Sequence, residues 1–452
     1  MGTVGDPLSQ NVSLQARYIQ IDVPQGRLAK GDDMADDNDK AREIIMPEAV
    51  LPVSKGLLAG AQHVIAMFGA TALAPILMGF DPNVCLLASG VATILFFLIV
   101  GGKIPSYLGS SFSFIAVVIA VTGYTGQGIN PNISVALGGI IGAGVLYAII
   151  GLLVIIFGYS WIRTLMPDVL TGSIVAVIGL NLAPVAVSSI SGSEFDVWCG
   201  VLAIVAVCVA SVYAPGFLGR LPIFIGGGVS YLIYYIYCNV FELGGTPIDF
   251  SRFHESPWLG VPNFTAPTFE LSAILSIAPV AFILVAENLG HVKAVSASIS
   301  RNLDDYLGRA FVGDGVATVL SGCVGGTGVT TYAENIGVMG VTRNYSSATF
   351  VIAGCFAIVF GFSPAFGALL LTIPAPILGG LSFVLFGLIT ATAGRIWVDA
   401  NVDFTLPRNL LTVGVTLVIG SGNLSLQVWN FSIGGIATAM IASLILYHSL
   451  RK

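Results

Sequence analysis

The sequence predicts an all-α polytopic membrane protein with fourteen transmembrane segments in a seven-plus-seven inverted repeat. Its composition gives the class, because 55% of the 452 residues are hydrophobic and only 9% are charged. Soluble globular proteins carry about 25% charged residues. The length of the apolar runs gives the number of segments, and the charges of the loops between them give the orientation.

A membrane-spanning helix needs about 20 apolar residues. From residue 54 onward the sequence is a succession of such runs, and three of them (310–323, 327–341 and 409–421) are short for a full span. The fourteen predicted segments are 54–77, 83–101, 105–123, 134–158, 166–185, 197–214, 221–240, 270–292, 310–323, 327–341, 347–362, 370–393, 409–421 and 432–449.

The loop charges test this count, since cytoplasmic loops of membrane proteins are enriched in Lys and Arg. With both termini inside, the opposite loops carry only Arg252. The predicted cytoplasmic side carries Lys103, Arg163, Arg220, Lys293, Arg301, Arg309, Arg343, Arg395, Arg408, Arg451 and Lys452. A single missed span would scramble this bias, so the charges favour fourteen segments.

Residues 1–50 form a predicted disordered acidic tail, and residues 51–452 form the membrane transporter. The run "KGDDMADDNDKARE" (30–43) is typical of a solvated segment, although a regulatory or partner-binding arm is an alternative. The tail lacks the basic start and apolar core of a signal peptide. Most of the net charge of −6 comes from this tail, so no nucleic-acid partner is predicted.

Motifs for enzymatic or metal chemistry are missing from the sequence. The six cysteines form no CxxC pair, which argues against a zinc site or structural disulfides. The run "GGTGV" (325–329) is not followed by Gly-Lys-Ser/Thr, so an ATP-binding loop is not predicted. We therefore expect neither an enzyme nor a cofactor nor a bound metal.

Two lone glutamates in apolar sequence, Glu287 and Glu334, are the strongest functional signal, and each is followed directly by Asn. A carboxylate in hydrocarbon is costly unless it faces a cavity or a partner, so such acids are candidate functional residues. Burial and a neighbouring like charge both help a carboxylate to bind a proton near neutral pH. The pair predicts transport, coupled to protons, of a substrate that donates hydrogen bonds to carboxylates.

The third and tenth segments contain Gly/Ser/Thr-rich interruptions, "PSYLGSSFSF" (105–114) and "GGTGVTTYAE" (325–334). Matching interruptions in two halves are typical of inverted-repeat transporters with a site near the middle of the membrane. The alternative is a pair of loops between shorter helices. Free backbone groups in the interruptions and the two carboxylates suit the edge of a planar heterocycle, and Phe112 suits its face.

Four stretches resemble the nucleobase–ascorbate transporter family: "AQHVIAMFGATALAPILMG" (61–79), "GKIPSYLGSSFSF" (102–114), "ILVAENLGH" (283–291) and "TTYAENIGVMGVTR" (330–343). The last contains the family signature Glu334-Asn335-x-Gly337, and the first contains its Gln62-His63 pair. The resemblance is greatest to bacterial uracil and pyrimidine permeases, especially those of pyrimidine utilisation. It implies a core domain of segments 1–4 and 8–11, a gate domain of segments 5–7 and 12–14, and short antiparallel strands in segments 3 and 10.

The resemblance also assigns substrate contacts. Glu287 accepts hydrogen bonds from the N–H groups of the base, and Glu334 holds the site together or binds the substrate. The other implied substrate-binding residues are Phe112 against the ring, Ala70 in the pocket wall, the backbone of Tyr332 and Ala333, and Phe386, which stands where the uracil permease has a tyrosine.

A second group of residues is implied to couple protons or to order the site: His291, His63, Gln62 and Asn335. His291 is expected to bond Glu334. The alternatives are a structural pair of Glu287 with His291, one turn away, and a scaffold role for Glu334. Asp314 is expected to cap or line the cytoplasmic end of its segment.

The resulting functional hypothesis is a proton-coupled symporter that imports uracil, and thymine as a related pyrimidine, across the bacterial inner membrane. Glu334 favours a pyrimidine, because purine and ascorbate members of the family carry Gln at that position. The alternatives are a purine (xanthine or urate) symporter and an anion exchanger of the same fold, which Glu287 would disfavour by repelling an anion. The expected partners are the nucleobase, protons and the lipid bilayer, and a homodimer is compatible with the sequence.

Overall fold

The computed structural model describes residues 44–450 except 125, 127, 217, 429 and 430. Residues 1–43 of the predicted tail and the cationic pair Arg451 and Lys452 lie outside the described residues. The described part is mostly helical, as predicted for an all-α membrane protein.

Eighteen α-helices make up most of the described residues. They are α1 (Val53–Met78), α2 (Pro82–Val100), α3 (Ile115–Thr122), α4 (Ile133–Phe157), α5 (Ser160–Leu165), α6 (Asp168–Ile190), α7 (Glu194–Tyr213), α8 (Pro222–Tyr235), α9 (Ser251–Glu255), α10 (Leu271–Ile277), α11 (Val280–Ser298), α12 (Leu307–Val324), α13 (Ala333–Thr342), α14 (Ser347–Gly361), α15 (Pro364–Leu370), α16 (Ala375–Asp399), α17 (Pro407–Ser421) and α18 (Gly435–Ser449). The strands are β1 (Leu108–Ser110), β2 (Val329–Thr331), β3 (Leu426–Val428) and β4 (Phe431–Ile433).

Nine helical stretches of the described residues are long and apolar enough to cross a membrane. The number is ten if α14 and α15, which meet at 88°, count as one bent span. The shorter apolar helices are 112–122 and α18. The fourteen predicted segments therefore include elements too short to cross alone. In particular, α13 has 10 residues and α17 has 15.

Helix ends follow the local sequence. Helix α1 ends where Gly79 takes a left-handed conformation, with φ of 74°. Helix α2 then begins with Pro82 in its first turn, while the Asp81 side chain accepts a hydrogen bond from the backbone N–H of Asn83. A proline at the first position and an Asx cap are favourable because the first N–H groups have no partner inside the helix. The end of α1 and the start of α2 are thus both capped within a three-residue connection.

Small residues allow close contact between helices of the two halves. A Cβ atom on Gly90 of α2 would lie 2.4 Å from the backbone oxygen of Gly354 on α14. A Cβ atom on Gly315 of α12 would lie 2.4 Å from the backbone nitrogen of Ala148 on α4. Backbones approach this closely only at small residues, which is the usual way helices associate in membranes. Helices α2, α4, α12 and α14 thus form a tight frame.

Strands β1 and β2 pair antiparallel inside this frame, with Leu108 opposite Thr331, Gly109 opposite Thr330 and Ser110 opposite Val329. They lie within 105–123 and 327–341, the ranges of the third and tenth predicted segments. Each strand leads into a short helix: β1 into α3 through a 3-10 turn, and β2 into α13 after Tyr332. We call the paired residues 108–110 and 329–331 the strand crossing.

Several boundaries differ from the sequence predictions, and two of them matter for the site. Residues 44–50 were assigned to a disordered tail, but Ile45 forms a parallel bridge with Asn344. The eighth segment was predicted to end at residue 292, whereas α11 continues to Ser298. In the first case backbone groups of the predicted tail pair with the turn after α13, and in the second the Arg301 N–H donates to the Ser296 carbonyl in the last turn of α11.

Candidate functional site

The strand crossing is held in a buried polar frame. The Ser89 hydroxyl of α2 donates to the Leu108 carbonyl at 2.6 Å, and the Leu108 N–H donates to Thr93 Oγ1 at 3.0 Å. On the other strand, the Val329 N–H donates to Thr318 Oγ1 at 3.2 Å. Buried backbone groups must find partners, and here side chains of α2 and α12 supply them. The irregular backbone is therefore satisfied within the protein.

Tyr332 joins three parts of the crossing. Its hydroxyl donates to the Ser110 carbonyl at 2.9 Å and accepts from Thr71 Oγ1 at 3.1 Å. Its ring lies against Gly109, where a Cβ atom would be 2.5 Å from Cζ. Any larger residue at position 109 would displace the ring, so this glycine is required by close approach.

Glu287 lies in the middle of α11 and points into the same region. Its carboxylate is close to the Ser113 side chain and interacts electrostatically with Glu334. Its Oε2 atom is buried and has no hydrogen-bond partner among the described residues. Buried polar atoms are nearly always hydrogen-bonded, which makes Oε2 available to an external donor.

Glu334 lies in the first turn of α13 and is half-buried. The free N–H groups at a helix N-terminus favour a negatively charged side chain. The neighbouring Asn335 is fully buried, and its amide donates to the backbone oxygen of His63 at 3.0 Å. The same Nδ2 lies 3.0 Å from His63 Nδ1. Of the signature dipeptide, Glu334 thus supplies a carboxylate and Asn335 links α13 to α1.

His291 differs from its expected role. Its Nδ1 lies 2.8 Å from the Thr331 hydroxyl of β2, instead of bonding Glu334. Antiparallel pairing turns Thr331 toward α11, and the histidine one turn beyond Glu287 meets it there. The expected His291–Glu334 bond is therefore wrong in this conformation, and the suggested Glu287–His291 pair does not form either.

Asp314 also differs from its expected position. It is fully buried within α12 rather than at a helix end, and Asn288 donates to its Oδ2 at 2.6 Å. The Tyr147 hydroxyl lies 3.4 Å from the same oxygen and 3.1 Å from the Leu284 carbonyl. The sequence prediction placed Asp314 at a segment end and missed its contacts with Asn288 and Tyr147, although a lone acid in an apolar segment is the signal that identified Glu287.

The remaining predicted site residues differ in their burial and in their contacts. Phe112 is half-buried, and its ring meets that of Phe386 edge to face, with centroids 6.3 Å apart. Ala70 is 1% exposed on α1, next to Thr71, which bonds Tyr332. Ala333 is exposed at the start of α13. Gln62 is half-buried beside His63.

A cavity of about 30 Å³ borders Ser113. Its lining comes from α3, α6, α10, α11 and the start of α18, and includes the polar side chains of Asn181, Ser276 and Asn423. This volume holds about one or two waters. The cavity therefore marks a narrow gap between the crossing and helices α6 and α18. Among the described residues, no group of three or more His, Cys, Asp or Glu side chains suits a metal ion.

Buried carboxylates at a broken-helix crossing, within a bundle of apolar helices, define a polytopic membrane transporter. A model of the permease family matches residues 54–428. The chain belongs to this family, the nucleobase–ascorbate transporters. Its members are permeases and not enzymes.

Relatives of known name cover most of the chain. A protein of Escherichia coli (strain K12) named pyrimidine permease RutG is 53% identical over 90% of this chain and 92% of its own length. The uracil permease of Bacillus caldolyticus is 38% identical over 85% and 89%. The transmembrane domain of a cyanobacterial bicarbonate transporter, BicA, matches with a TM-score of 0.60, 15% identity and coverage of 90% and 100%, which shows a shared fold.

Proposed function

We propose that this protein is a proton-coupled symporter that imports uracil, and thymine as a related pyrimidine, across the bacterial inner membrane. The observation that carries the proposal is the buried, unpartnered Oε2 of Glu287, in a region that also holds the Glu334 carboxylate, with which Glu287 interacts electrostatically, and the half-buried ring of Phe112. Uracil has two ring N–H donors, two carbonyl acceptors and a planar face. The names of the relatives support the same substrate class.

Each part of the base has a proposed counterpart. Glu287 accepts from the ring N–H groups, and Phe112 packs on the ring with Phe386 behind it. The backbone at Tyr332 and Ala333 binds the opposite edge, near the start of α13. Ala70 lines the pocket. Buried hydrogen-bonding groups of this kind discriminate strongly against ligands that leave them unpaired.

The remaining sequence-predicted residues have proposed supporting roles. Asn335 and His63 hold the start of α13 against α1, with Gln62 beside them. His291 holds β2 through Thr331 and, with Glu334, is the candidate proton-carrying group. Two nearby carboxylates in a low-dielectric environment bind a proton more readily than one in water, which is the physical basis of the proposed coupling.

The proposed topology has fourteen segments in two inverted sets of seven, with both termini in the cytoplasm. The strand crossing then belongs to segments 3 and 10, and the core and gate domains are those given by the resemblance. The cavity beside Ser113 is too small for a base, so entry requires α3 and α11 to separate from α6 and α18. A homodimer in the bilayer is compatible with this arrangement.

Uptake of labelled uracil in a host without its own uracil transporters tests the proposal. We expect uptake to increase at acidic external pH, to collapse with a protonophore and to ignore an imposed sodium gradient. Competition by thymine, xanthine and urate identifies the substrate class. Better transport of xanthine than of uracil would replace the pyrimidine assignment with the purine alternative, and sodium-driven uptake that survives the protonophore would refute proton coupling.

A further inference from the structure

The segment before α1 contacts the turn after α13, the loop before β1 and the loop after α11. We call residues 44–51 the N-terminal strap. Its backbone pairs with the turn after α13: the Ile45 N–H donates to the Arg343 carbonyl at 2.9 Å, and the Tyr345 N–H donates to the Ile45 carbonyl at 2.9 Å. Because Glu334 lies at the other end of this 10-residue helix, the strap fixes the far end of the helix that carries it.

Further bonds continue this pairing. The Ser347 N–H donates to the Pro47 carbonyl at 2.9 Å, and the Ser346 hydroxyl donates to the Ala49 carbonyl at 2.5 Å. Ser346 and Ser347 are buried. Four hydrogen bonds over five strap residues give a defined register, so the strap is docked rather than loosely adjacent.

Glu48 links the strap to the loop before β1 and to the loop after α11. Its Oε1 accepts from Lys103 Nζ at 3.0 Å and from Arg301 Nη1 at 2.7 Å. Lys103 precedes β1 by five residues. Arg301 follows α11, and its backbone N–H donates to the Ser296 carbonyl at 3.1 Å. One carboxylate oxygen thus joins the loop leading to β1 with the end of the helix that carries Glu287.

We propose that the N-terminal strap holds α13, α11 and β1 in one fixed arrangement, and that Glu48 is a positioning residue of the substrate site. The inference rests on the proposed function, because the three elements matter together only if they form one binding site. Binding geometry is sensitive to small displacements of the groups that contact the ligand. Loosening the strap should therefore weaken substrate binding from a distance.

The ionic part of the strap is charged at every physiological pH. Burial alone raises the pKa of the Glu48 carboxyl, but the hydrogen bonds from Lys103 and Arg301 outweigh it and lower the pKa to about 2. A folded-state pKa below the ordinary value of 4.5 means that the contribution is complete above pH 4.5 and is lost as the pH falls toward 2. Changes in uptake between about pH 5 and 8 therefore have another origin.

Glu48→Gln tests the strap, with Glu48→Asp as the conservative variant. Asp399→Asn is the matched control, since it removes one exposed carboxylate that pairs with Arg395 at the end of α16. We expect uracil binding by purified Glu48→Gln to be about three- to tenfold weaker, and the loss to be partly restored by Glu48→Asp. The control should bind like the wild type.

The salt dependence of uracil affinity is a second test of the strap, and its first measurement needs only the wild type. Uracil is neutral, so salt acts on its affinity through ion pairs of the protein. In ~1 M salt the screening length falls to about 3 Å, and wild-type binding should weaken while Glu48→Gln stays unchanged. If the wild type binds uracil, an affinity independent of salt, or Glu48→Gln binding equal to the wild type, would overturn the proposal.

Hydrogen exchange separates this proposal from the proposed function. Peptides covering 329–342 should exchange faster in Glu48→Gln than in the wild type, with or without substrate. If this occurs in a protein that binds no uracil, the strap is supported and the uracil assignment fails. If Glu48→Gln changes neither the hydrogen exchange of 329–342 nor uracil binding, the proposed role of the strap is contradicted.

Discussion

The two Glu–Asn dipeptides look alike in sequence but differ in their surroundings. Glu287 and Asn288 lie in the middle of α11, where Asn288 donates to the buried carboxylate of Asp314. Glu334 and Asn335 lie in the first turn of α13, where Asn335 donates to the backbone of His63. In each pair the glutamate faces the crossing and the asparagine anchors its helix to a neighbour.

The two glutamates differ in how available their carboxylates are to an external hydrogen-bond donor. A mid-helix carboxylate has no free backbone N–H groups near it, and Glu287 Oε2 has no partner among the described residues. Glu334 has the N-terminal end of α13 beside it. Glu287 is thus the better acceptor for an external donor, whereas Glu334 is stabilised by its own helix. This contrast predicts unequal effects of the same substitution.

Glu287→Gln should have the largest effect on binding. The amide replaces one acceptor oxygen with a donor, which leaves a mismatched edge against the base. A buried unsatisfied group costs about 1–3 kcal/mol, or roughly tenfold to a hundredfold in affinity. Equilibrium binding of uracil to purified protein measures this. Glu270→Gln, at the start of α10, is a control without a proposed contact, and wild-type affinity in folded Glu287→Gln would end the assignment.

Glu334→Gln should weaken uracil binding by about tenfold, less than the change at Glu287. It removes the charge that the start of α13 favours but keeps a side chain of the same size. We do not expect it to create xanthine transport, because the pocket must also enlarge for a second ring. Uptake of both bases by the variant checks this, and an effect exceeding that of Glu287→Gln would reverse the comparison.

The class could be predicted from the sequence; the two carboxylates are site residues proposed from it, and the predicted interruptions at 105–114 and 325–334 contain β1 and β2. These follow from composition, from the cost of charge in hydrocarbon and from Gly/Ser/Thr runs that do not suit a lipid-facing helix. The family resemblance added Tyr332 and Phe386 as substrate-binding residues, which no periodicity would single out.

Partners across the bundle could not be predicted in the same way. Thr331 binds His291, and Asn288 binds Asp314, because the register of β1 with β2 and the packing of α11 on α12 bring them together. Sequence spacing gives no information on contacts between separate helices. The strap was missed for the same reason, since Glu48 lies in an acidic stretch whose partners are 55 and 253 residues away.

Removing the two asparagines should separate their anchoring roles. Asn288→Ala removes the 2.6 Å hydrogen bond to the fully buried Asp314 carboxylate. Asn335→Ala removes the amide that contacts the His63 ring and donates to the His63 carbonyl. We expect Asn288→Ala to destabilise the protein by about 1 kcal/mol more than Asn335→Ala. Thermal unfolding in the same detergent measures the difference. Equal destabilisation would show that the two anchors are equivalent.

Phe386→Tyr should have the smallest effect, and it tests whether the face of the base or its edge limits affinity. The Phe386 ring is 2% exposed and meets Phe112 edge to face, so a hydroxyl fits only if it finds a partner. A new hydrogen bond to the substrate or an ordered water contributes about 0.5–1.5 kcal/mol. We expect unchanged or modestly tighter uracil binding, measured as for Glu287→Gln, with Phe383→Tyr on the same helix as the control. Weaker binding would mean that Phe386 acts by packing alone. The polar contacts to the base near Phe386 would then come from the carboxylates.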